Sequence, residues 1–236
     1  MNQIESQLTQ LRLAGMARSW QTLVETRRVH ELTLTEGLDL LLQAESQQRR
    51  FNRLQKNARF RYQASIEEVR PDASRGLDKA QITHLATGDY LEKGESILIT
   101  GASGCGKSFL ASAFGNQACA QGYSVAYFNA QKLMMKAKMH RLEGSILTFF
   151  NKLAKTDLLI MDDFGLTRLE GQQQLDMMEI IEDRHGKSST IIASQLPVAS
   201  WYEVIGEETI ADAILDRLVH TSHRIELRGE SLRKKL

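Results

Sequence analysis

A strand, a glycine-rich loop and a helix follow one another directly between residues 96 and 120, and this order constrains the fold more than any other feature. The apolar run Ser96-Ile-Leu-Ile-Thr100 predicts a strand, and Phe109-Leu-Ala-Ser-Ala113 lies in a run that predicts a helix over 107–120. Between them, Gly101-Ala-Ser-Gly-Cys-Gly-Lys-Ser108 matches the pattern G-x-x-x-x-G-K-[ST] without departure. A loop of this kind between a strand and a helix predicts a phosphate-binding turn.

The residue types in the loop indicate ATP and Mg²⁺ as cofactors. The three glycines let the backbone turn tightly, so that its N–H groups face the β-phosphate, and the positive end of the following helix adds to the attraction. Lys107 is expected to reach the β- and γ-phosphates and Ser108 to ligate Mg²⁺. The predicted nucleotide-binding residues are Gly101, Ala102, Ser103, Gly104, Cys105, Gly106, Lys107, Ser108 and Phe109.

Beyond the loop, short apolar runs alternate with helical segments. We predict strands at residues 97–99, 125–128, 158–161 and 190–193, with helices at 107–120 and 172–185 and further helical segments up to 155. Apolar strands separated by helices are typical of a parallel sheet covered on both faces. The fold class is therefore predicted to be α/β, with the phosphate loop after the first core strand.

Polar side chains follow two of these strands. Leu158-Leu-Ile-Met-Asp-Asp-Phe-Gly165 places two carboxylates at the end of a buried strand. A phosphate loop needs an acid on a neighbouring strand for its metal, so we predict that Asp162 holds Mg²⁺ through its water shell and that Asp163 polarises the attacking water. Gln195, at the end of the strand 190–193, is predicted to orient that water, with Ser194 as the alternative.

The N-terminal part of the chain lacks β-rich runs and is predicted to be helical. One of its helices is predicted to begin near residue 35, with Thr33 or Thr35 as the N-cap. We expect a helical domain over residues 1–66 and an ATPase domain over 67–236, because 236 residues accommodate one α/β domain and a small appendage. The absence of a long uncharged apolar run and of a signal-like N-terminus argues against a membrane partner and predicts a cytoplasmic protein. Cys105 and Cys119 are expected to be reduced thiols that fit a core.

Positive charge is concentrated in separate blocks, although the net charge is only +1. The segment 46–62 is basic and contains no acid, and three of its cations share one face if residues 45–59 form a helix. Such a face neutralises phosphates without reading sequence. The predicted duplex-DNA contacts are Arg49, Arg50, Arg53, Lys56 and Arg59, and in a second block after the strand 125–128 they are Lys136, Lys138 and Arg141.

Several motifs in a fixed order resemble the AAA+ ATPases of the DnaC/IstB group. Besides the phosphate loop they are Asp162-Asp-Phe-Gly165, Ala193-Ser-Gln-Leu-Pro197 and Ile214-Leu-Asp-Arg-Leu-Val-His220. Leu11-Arg-Leu-Ala-Gly-Met-Ala17 and the closing stretch from His223 to Lys235 are similar to the IstB branch, and the resemblance covers nearly the whole chain. It implies an AAA+ P-loop core without a C-terminal lid, behind a small all-α N-terminal domain.

The resemblance also implies a function. Members of this branch are bacterial, ATP-dependent homo-oligomers that bind duplex DNA and present it to a cognate transposase. An arginine of one subunit completes the ATP site of the next, and Arg217 is the matching position, with Arg224 as the alternative. Asp163 stands where many AAA+ members carry Glu, and Gln195 where Asn is common, so the rate of hydrolysis is less certain than nucleotide binding.

Three other functions compete with a transposition helper. A helicase loader of the DnaC type shares the core but has a different N-terminal domain. A small-molecule kinase would need an arginine-rich lid over the phosphates, and no such segment lies between the first helix and Asp162. A nucleotide-gated scaffold that binds ATP without hydrolysing it remains open because of Asp163.

Overall fold

The structure is a computed structural model that describes residues 3–232; the last four residues of the closing stretch, 233–236, lie outside them. The chain divides into two compact units, Met1–Lys56 and Asn57–Leu236. The helices are α1 (Gln3–Gln10), α2 (Ala14–Glu25), α3 (Leu34–Ala58), α4 (Lys79–Ala86), α5 (Asp89–Lys93), α6 (Lys107–Ala120), α7 (Ala130–Leu142), α8 (Ile146–Ala154), α9 (Gln172–Arg184), α10 (Trp201–Ile205) and α11 (Glu208–Val219). The strands are β1 (Ser96–Gly101), β2 (Val125–Asn129), β3 (Leu158–Phe164), β4 (Ser189–Ser194) and β5 (Ser222–Leu227).

The first unit is helical, as predicted, and one buried carboxylate ties two of its helices together. Glu45 on α3 accepts hydrogen bonds from the backbone N–H groups of Gly15 (2.8 Å) and Met16 (3.3 Å) at the start of α2. These N–H groups belong to the first turn of α2, which has no intrahelical partner for them. Gly15 is required because a Cβ there would lie 2.5 Å from the carbonyl oxygen of Ala44.

The cap of α3 confirms one of the two predicted residues. The Thr33 hydroxyl accepts from the N–H of Glu36 at 3.3 Å, and the Glu36 carboxylate accepts from the N–H of Thr33 at 2.8 Å. This reciprocal pair is a capping box, which satisfies two N–H groups at the start of the helix.

The second unit begins before the predicted domain boundary, since residues 57–66 pack with its α/β core. The Phe60 ring meets Tyr127 of β2 edge to face, with 6.3 Å between centroids. The same ring lies against Gly115 of α6, and the carbonyl of Ala64 accepts from the Asn116 side chain at 3.1 Å. The first compact unit therefore ends at Lys56, whereas the domain boundary at residue 66 stays a prediction.

In the described part of the chain, residues 3–232, five parallel strands form one sheet in the order β2-β3-β4-β1-β5. Four of these strands, β1 to β4, were predicted. Successive side chains of a strand point to opposite faces of the sheet and pack against two different layers of helices. Gly115 of α6 lies against Ile160, whereas Leu159 and Met161 belong to the core shared with α7 to α11. The predicted α/β sandwich is confirmed.

The pattern analysis missed β5, an edge strand on which only Ile225 and Leu227 are buried. Two apolar positions are too few to mark a strand by periodicity. None of the helices within residues 3–232 combines the length and the apolarity needed to cross a bilayer.

Candidate nucleotide-binding site

The phosphate loop connects β1 to α6, and its backbone takes the conformation that the glycines predict. Gly101, Gly104 and Gly106 have φ values of 144°, 80° and 107°, a region that residues with a Cβ rarely adopt. Gly106 is the N-cap of α6 and offers no side chain to its first N–H groups. These N–H groups and the helix dipole are therefore available for a phosphate.

Lys107 and Ser108, the two polar residues at the start of α6, form hydrogen bonds within the protein that contacts to a bound nucleotide would replace. The buried Lys107 ammonium donates to the carbonyls of Gly101 (2.7 Å) and Ala102 (2.8 Å). The Ser108 hydroxyl donates to Oδ1 of Asp162 at 3.0 Å. The loop thus brings its lysine to its centre and its serine to the acid at the end of β3.

Several of the predicted site residues line one cavity of about 290 Å³ at the carboxyl ends of β1, β3 and β4. Its walls include Lys107, Ser108, Asp163 and Gln195. The strand order explains this convergence, because β4 lies between β1 and β3. Ligands of open parallel sheets bind at this edge.

Asp162 is held in place through both of its carboxylate oxygens, and its side chain is buried. Oδ1 accepts from Ser108 and from the N–H of Asp163 at 2.9 Å. Oδ2 accepts from the Tyr127 hydroxyl at 2.5 Å and from Arg61 Nη1 at 3.2 Å. Burial raises the pKa of Tyr127, and the hydrogen bond to Asp162 raises it further, so the phenol remains a donor.

Asp163 follows in a left-handed backbone conformation, with φ of 58°. This conformation costs on the order of 1 kcal/mol or more for a residue with a Cβ and is typical of functional turns. Oδ2 of Asp163 accepts from Arg61 Nη1 at 2.9 Å and from Asn129 Nδ2 at 3.2 Å. The predicted water-polarising carboxylate therefore has two hydrogen-bond donors on the same oxygen.

Sequence reasoning did not assign Arg61, Tyr127 and Asn129 to the site. Burial lowers the pKa of Arg61, but its hydrogen bond to Asp162 and the charges of both aspartates outweigh this effect, so its pKa lies above the ordinary arginine value. Arg61 belongs to the acid-free basic run 46–62, which was the only signal for it. Tyr127 and Asn129 lie on β2, where they pair with Ile160 and Asp162 of β3. They were missed because the register between two strands is not evident from the sequence.

The end of β4 distinguishes the two predicted water-orienting residues. The buried Ser194 hydroxyl donates to the carbonyl of Phe164 at 2.7 Å and accepts from the N–H of Leu196 at 3.1 Å. Gln195 instead lines the cavity beside Lys107 and Asp163. Ser194 thus links the ends of β3 and β4, and Gln195 is the residue placed to contact a ligand.

The donor set fits Mg²⁺. The Ser108 hydroxyl and Oδ1 of Asp162 lie 3.0 Å apart at the phosphate loop, and both are hard oxygen ligands. Within residues 3–232 there is no group of three or more His, Cys, Asp or Glu side chains that would form an all-protein metal cage. This agrees with an ion that takes the remainder of its ligands from phosphates and water.

The chain's C-terminal segment also contacts the phosphate loop, which sequence reasoning missed. The N–H of Leu232 donates to the carbonyl of Gly104 at 3.0 Å, and the Leu232 side chain lines the cavity. A Cβ at Gly104 would lie 2.1 Å from the Ser231 hydroxyl oxygen. Gly104 is therefore required by this close approach as well as by its backbone conformation.

Arg217 lies on α11 and pairs with Glu182 of α9, and its Nη1 also donates to the carbonyl of Ala213 at 2.9 Å. It is not among the described residues that line the cavity of its own chain. The alternative, Arg224, is exposed on the edge strand β5. Neither arginine lines the phosphate-loop cavity of the chain to which it belongs.

The first predicted DNA-binding block lies largely on α3. Arg49 donates to Glu45 at 2.7 Å but is still 67% exposed, and Arg53 and Lys56 are exposed on the same face. Arg50 lies on α3 as well. Arg59 does not, because the helix ends at Ala58 and Arg59 has φ of 59°, which a right-handed helix excludes.

The second block lies on α7, where two of its three cations have partners within the chain. Arg141 forms an ion pair with the buried Asp176, and Lys136 Nζ lies 5.1 Å from the centroid of the Phe128 ring. Lys138 is exposed on the same helix. The face of α3 therefore presents more cations to a partner than α7 does.

Comparison with known proteins agrees with this geometry. The family model described as IstB-like ATP binding protein matches residues 6–236. An insertion-sequence ATP-binding protein of Sinorhizobium fredii is 43% identical over 230 residues, which is 96% of this chain and 94% of that protein. The insertion sequence IS21 ATP-binding protein of Pseudomonas aeruginosa is 30% identical over 242 residues, 100% of this chain and 90% of that protein.

Solved structures support the fold. The DnaC helicase loader superposes with a TM-score of 0.60 at 20% identity, covering 71% of this chain and 98% of the loader. AMPPCP-bound DnaA from Aquifex aeolicus gives a TM-score of 0.58 at 21% identity, covering 74% of this chain and 53% of DnaA. The predicted AAA+ core is confirmed, and the family match supports ATP binding by a P-loop protein.

Proposed function

The chain belongs to the family of IstB-like ATP-binding proteins, and on this premise we propose that it is a DNA-binding ATPase that assists transposition. It assembles on duplex DNA with ATP, delivers that DNA to a cognate transposase and stimulates the transposase. The relatives encoded in insertion sequences support this assignment over the helicase loader, which shares only the fold at 20% identity.

The observation that most supports hydrolysis is that Lys107, Ser108, Asp163 and Gln195 line one cavity and that Ser108 donates to Asp162. The loop and Lys107 hold the phosphates, while Ser108 and Asp162 hold Mg²⁺, which neutralises charge on the β- and γ-phosphates when it is bound. Asp163 polarises the attacking water and Gln195 orients it. Arg217 of a neighbouring subunit completes the site, so that turnover depends on the assembly.

DNA binding is supported by the exposed face of α3, which carries Arg49, Arg53 and Lys56, with Arg50 on the same helix. Lys138 is a separate exposed cation on α7 of the second unit. Contacts of arginine and lysine to phosphates carry no sequence information, so the protein is expected to bind different duplexes alike.

Lys107→Ala tests the ATP site, with Lys152→Ala, an exposed lysine on α8, as the matched control. Calorimetry should show loss of tight ATP binding for the first variant only, because its loop loses the fixed cation that faces the phosphates. Wild-type affinity in Lys107→Ala would refute the assignment of this cavity.

Electron microscopy with duplex DNA and either ATP or ADP tests the assembly, and ring or helical particles are expected with ATP alone. Pull-downs with the transposase of an IS21-type element and with a replicative helicase then separate the two partner classes. Capture of the helicase and not of the transposase would favour the loader.

A further inference from the structure

The acid pair at the end of β3 has a cation supplied by its own chain. Arg61 Nη1 lies 3.2 Å from Oδ2 of Asp162 and 2.9 Å from Oδ2 of Asp163. The segment that carries Arg61 is anchored on both sides of this residue. Before it, the Phe60 ring packs against Tyr127, and after it, the carbonyl of Ala64 accepts a hydrogen bond from the Asn116 side chain. The guanidinium is therefore held beside the aspartates by the packing of its neighbours.

The two oxygens of Asp162 face different groups. Oδ1 faces Ser108, on the side where a metal is expected, whereas Oδ2 faces Arg61 and Tyr127. A divalent cation held on the Oδ1 side would be repelled by the guanidinium at Oδ2, since both would be attracted to the same carboxylate. Arg61 must therefore weaken the attraction of the acid pair for Mg²⁺.

Arg61 also affects Asp163. One oxygen of this carboxylate accepts from both Arg61 and Asn129. A carboxylate oxygen that is paired with a guanidinium is a poorer acceptor for the proton of an attacking water. Departure of Arg61 would remove a positive charge from that oxygen and leave the hydrogen bond from Asn129.

We propose that Arg61 is a positioning residue that competes with Mg²⁺ for the Asp162–Asp163 pair and so sets the metal concentration at which the ATP site becomes active. The inference rests on the proposed Mg²⁺-dependent ATPase. It adds to that function a control exerted by a residue upstream of the phosphate loop, in the segment that directly follows the N-terminal helical unit.

The test compares Arg61→Gln with Arg61→Lys, which keeps the charge, and with Arg70→Gln, which removes an exposed arginine elsewhere in the segment before β1. ATP affinity is measured by calorimetry over a series of Mg²⁺ concentrations that begins in EDTA. Arg61→Gln should need about tenfold less Mg²⁺ to reach half of the Mg²⁺-dependent gain in ATP affinity. The effect is limited to this size because the Arg61 side chain is 42% exposed, so that solvent screens part of the repulsion. Arg61→Lys and Arg70→Gln should stay near the wild type.

Hydrolysis is a second readout, and Arg61→Gln should be faster than the wild type when Mg²⁺ is limiting. Equal Mg²⁺ midpoints in Arg61→Gln and Arg70→Gln would overturn the inference, as would a lowered melting temperature in both Arg61 variants without any change in metal dependence. If the wild type binds and hydrolyses ATP without Mg²⁺, the proposed function itself fails. If the wild type requires Mg²⁺ and Arg61→Gln has the same Mg²⁺ midpoint as the wild type, the proposed function stands and the role of Arg61 is refuted.

Discussion

Arg217 is predicted to act in the ATP site of a neighbouring subunit, and the structure supplies a matched control for testing this role. Arg217 pairs with Glu182, and the two side chains are 25% and 53% exposed. Either Arg217→Ala or Glu182→Gln removes this ion pair, but only the first removes the guanidinium.

The expected magnitudes differ widely. An ion pair exposed to this degree contributes about 1 kcal/mol or less, so both variants should lose at most about that much free energy of unfolding. An arginine that stabilises charge on the γ-phosphate of a neighbour contributes about 10³–10⁵ in rate. Arg217→Ala should therefore bind ATP nearly normally, since the loop in its own chain is intact, and should hardly hydrolyse it. Glu182→Gln should hydrolyse at close to the wild-type rate.

The assays are urea unfolding for stability, calorimetry for ATP affinity, and phosphate release in the presence of duplex DNA. Mixed oligomers add a further measurement, because Lys107→Ala lacks only the receiving site and Arg217→Ala lacks only the donated arginine. Junctions that combine an intact Arg217 with an intact loop should restore part of the activity.

Equal rates in Arg217→Ala and Glu182→Gln would mean that Arg217 contributes only its ion pair. If the mixture co-assembles on DNA but stays inactive, Arg217 acts within its own subunit, and Arg224 becomes the candidate for the trans arginine.

Four other predictions concern separate parts of the molecule. Asp163→Asn should keep ATP affinity and slow phosphate release by about 10²–10⁴, the range for loss of a general base, and unchanged turnover would transfer that role to another residue. Replacing Arg49, Arg53 and Lys56 with Gln should weaken binding to all duplexes alike and reduce the log–log salt slope by about 0.9 for each lost phosphate contact; a loss confined to one DNA sequence would contradict backbone binding. Deleting residues 229–236 should speed release of a fluorescent ATP analogue several-fold, measured by stopped flow, because Leu232 then no longer borders the cavity, and an unchanged rate would show that the segment does not cover the ligand. Burial raises the pKa of Cys119 to about 12, so at pH 8 its thiol should react with a disulfide reagent far more slowly in the native than in the urea-unfolded protein, and equal rates would contradict its burial.

The sequence by itself determined the features that depend on neighbouring residues. The glycines of the loop, the lysine and serine at its end and the apolar runs of four strands are local patterns, since backbone conformation and side-chain periodicity act over a few residues. For the same reason the start of α3 could be narrowed to Thr33 or Thr35, and the two carboxylates near the end of β3 could be located, without coordinates.

Only the tertiary structure decided which distant groups share the site. Strand order places β4 between β1 and β3 and thereby brings Gln195 to the cavity. Arg61 meets Asp162 across 101 residues of sequence, and Leu232 reaches the phosphate loop from the other end of the ATPase unit. Such contacts follow from packing, which depends on how whole elements bury their apolar faces, and no local pattern records which side chains this brings together.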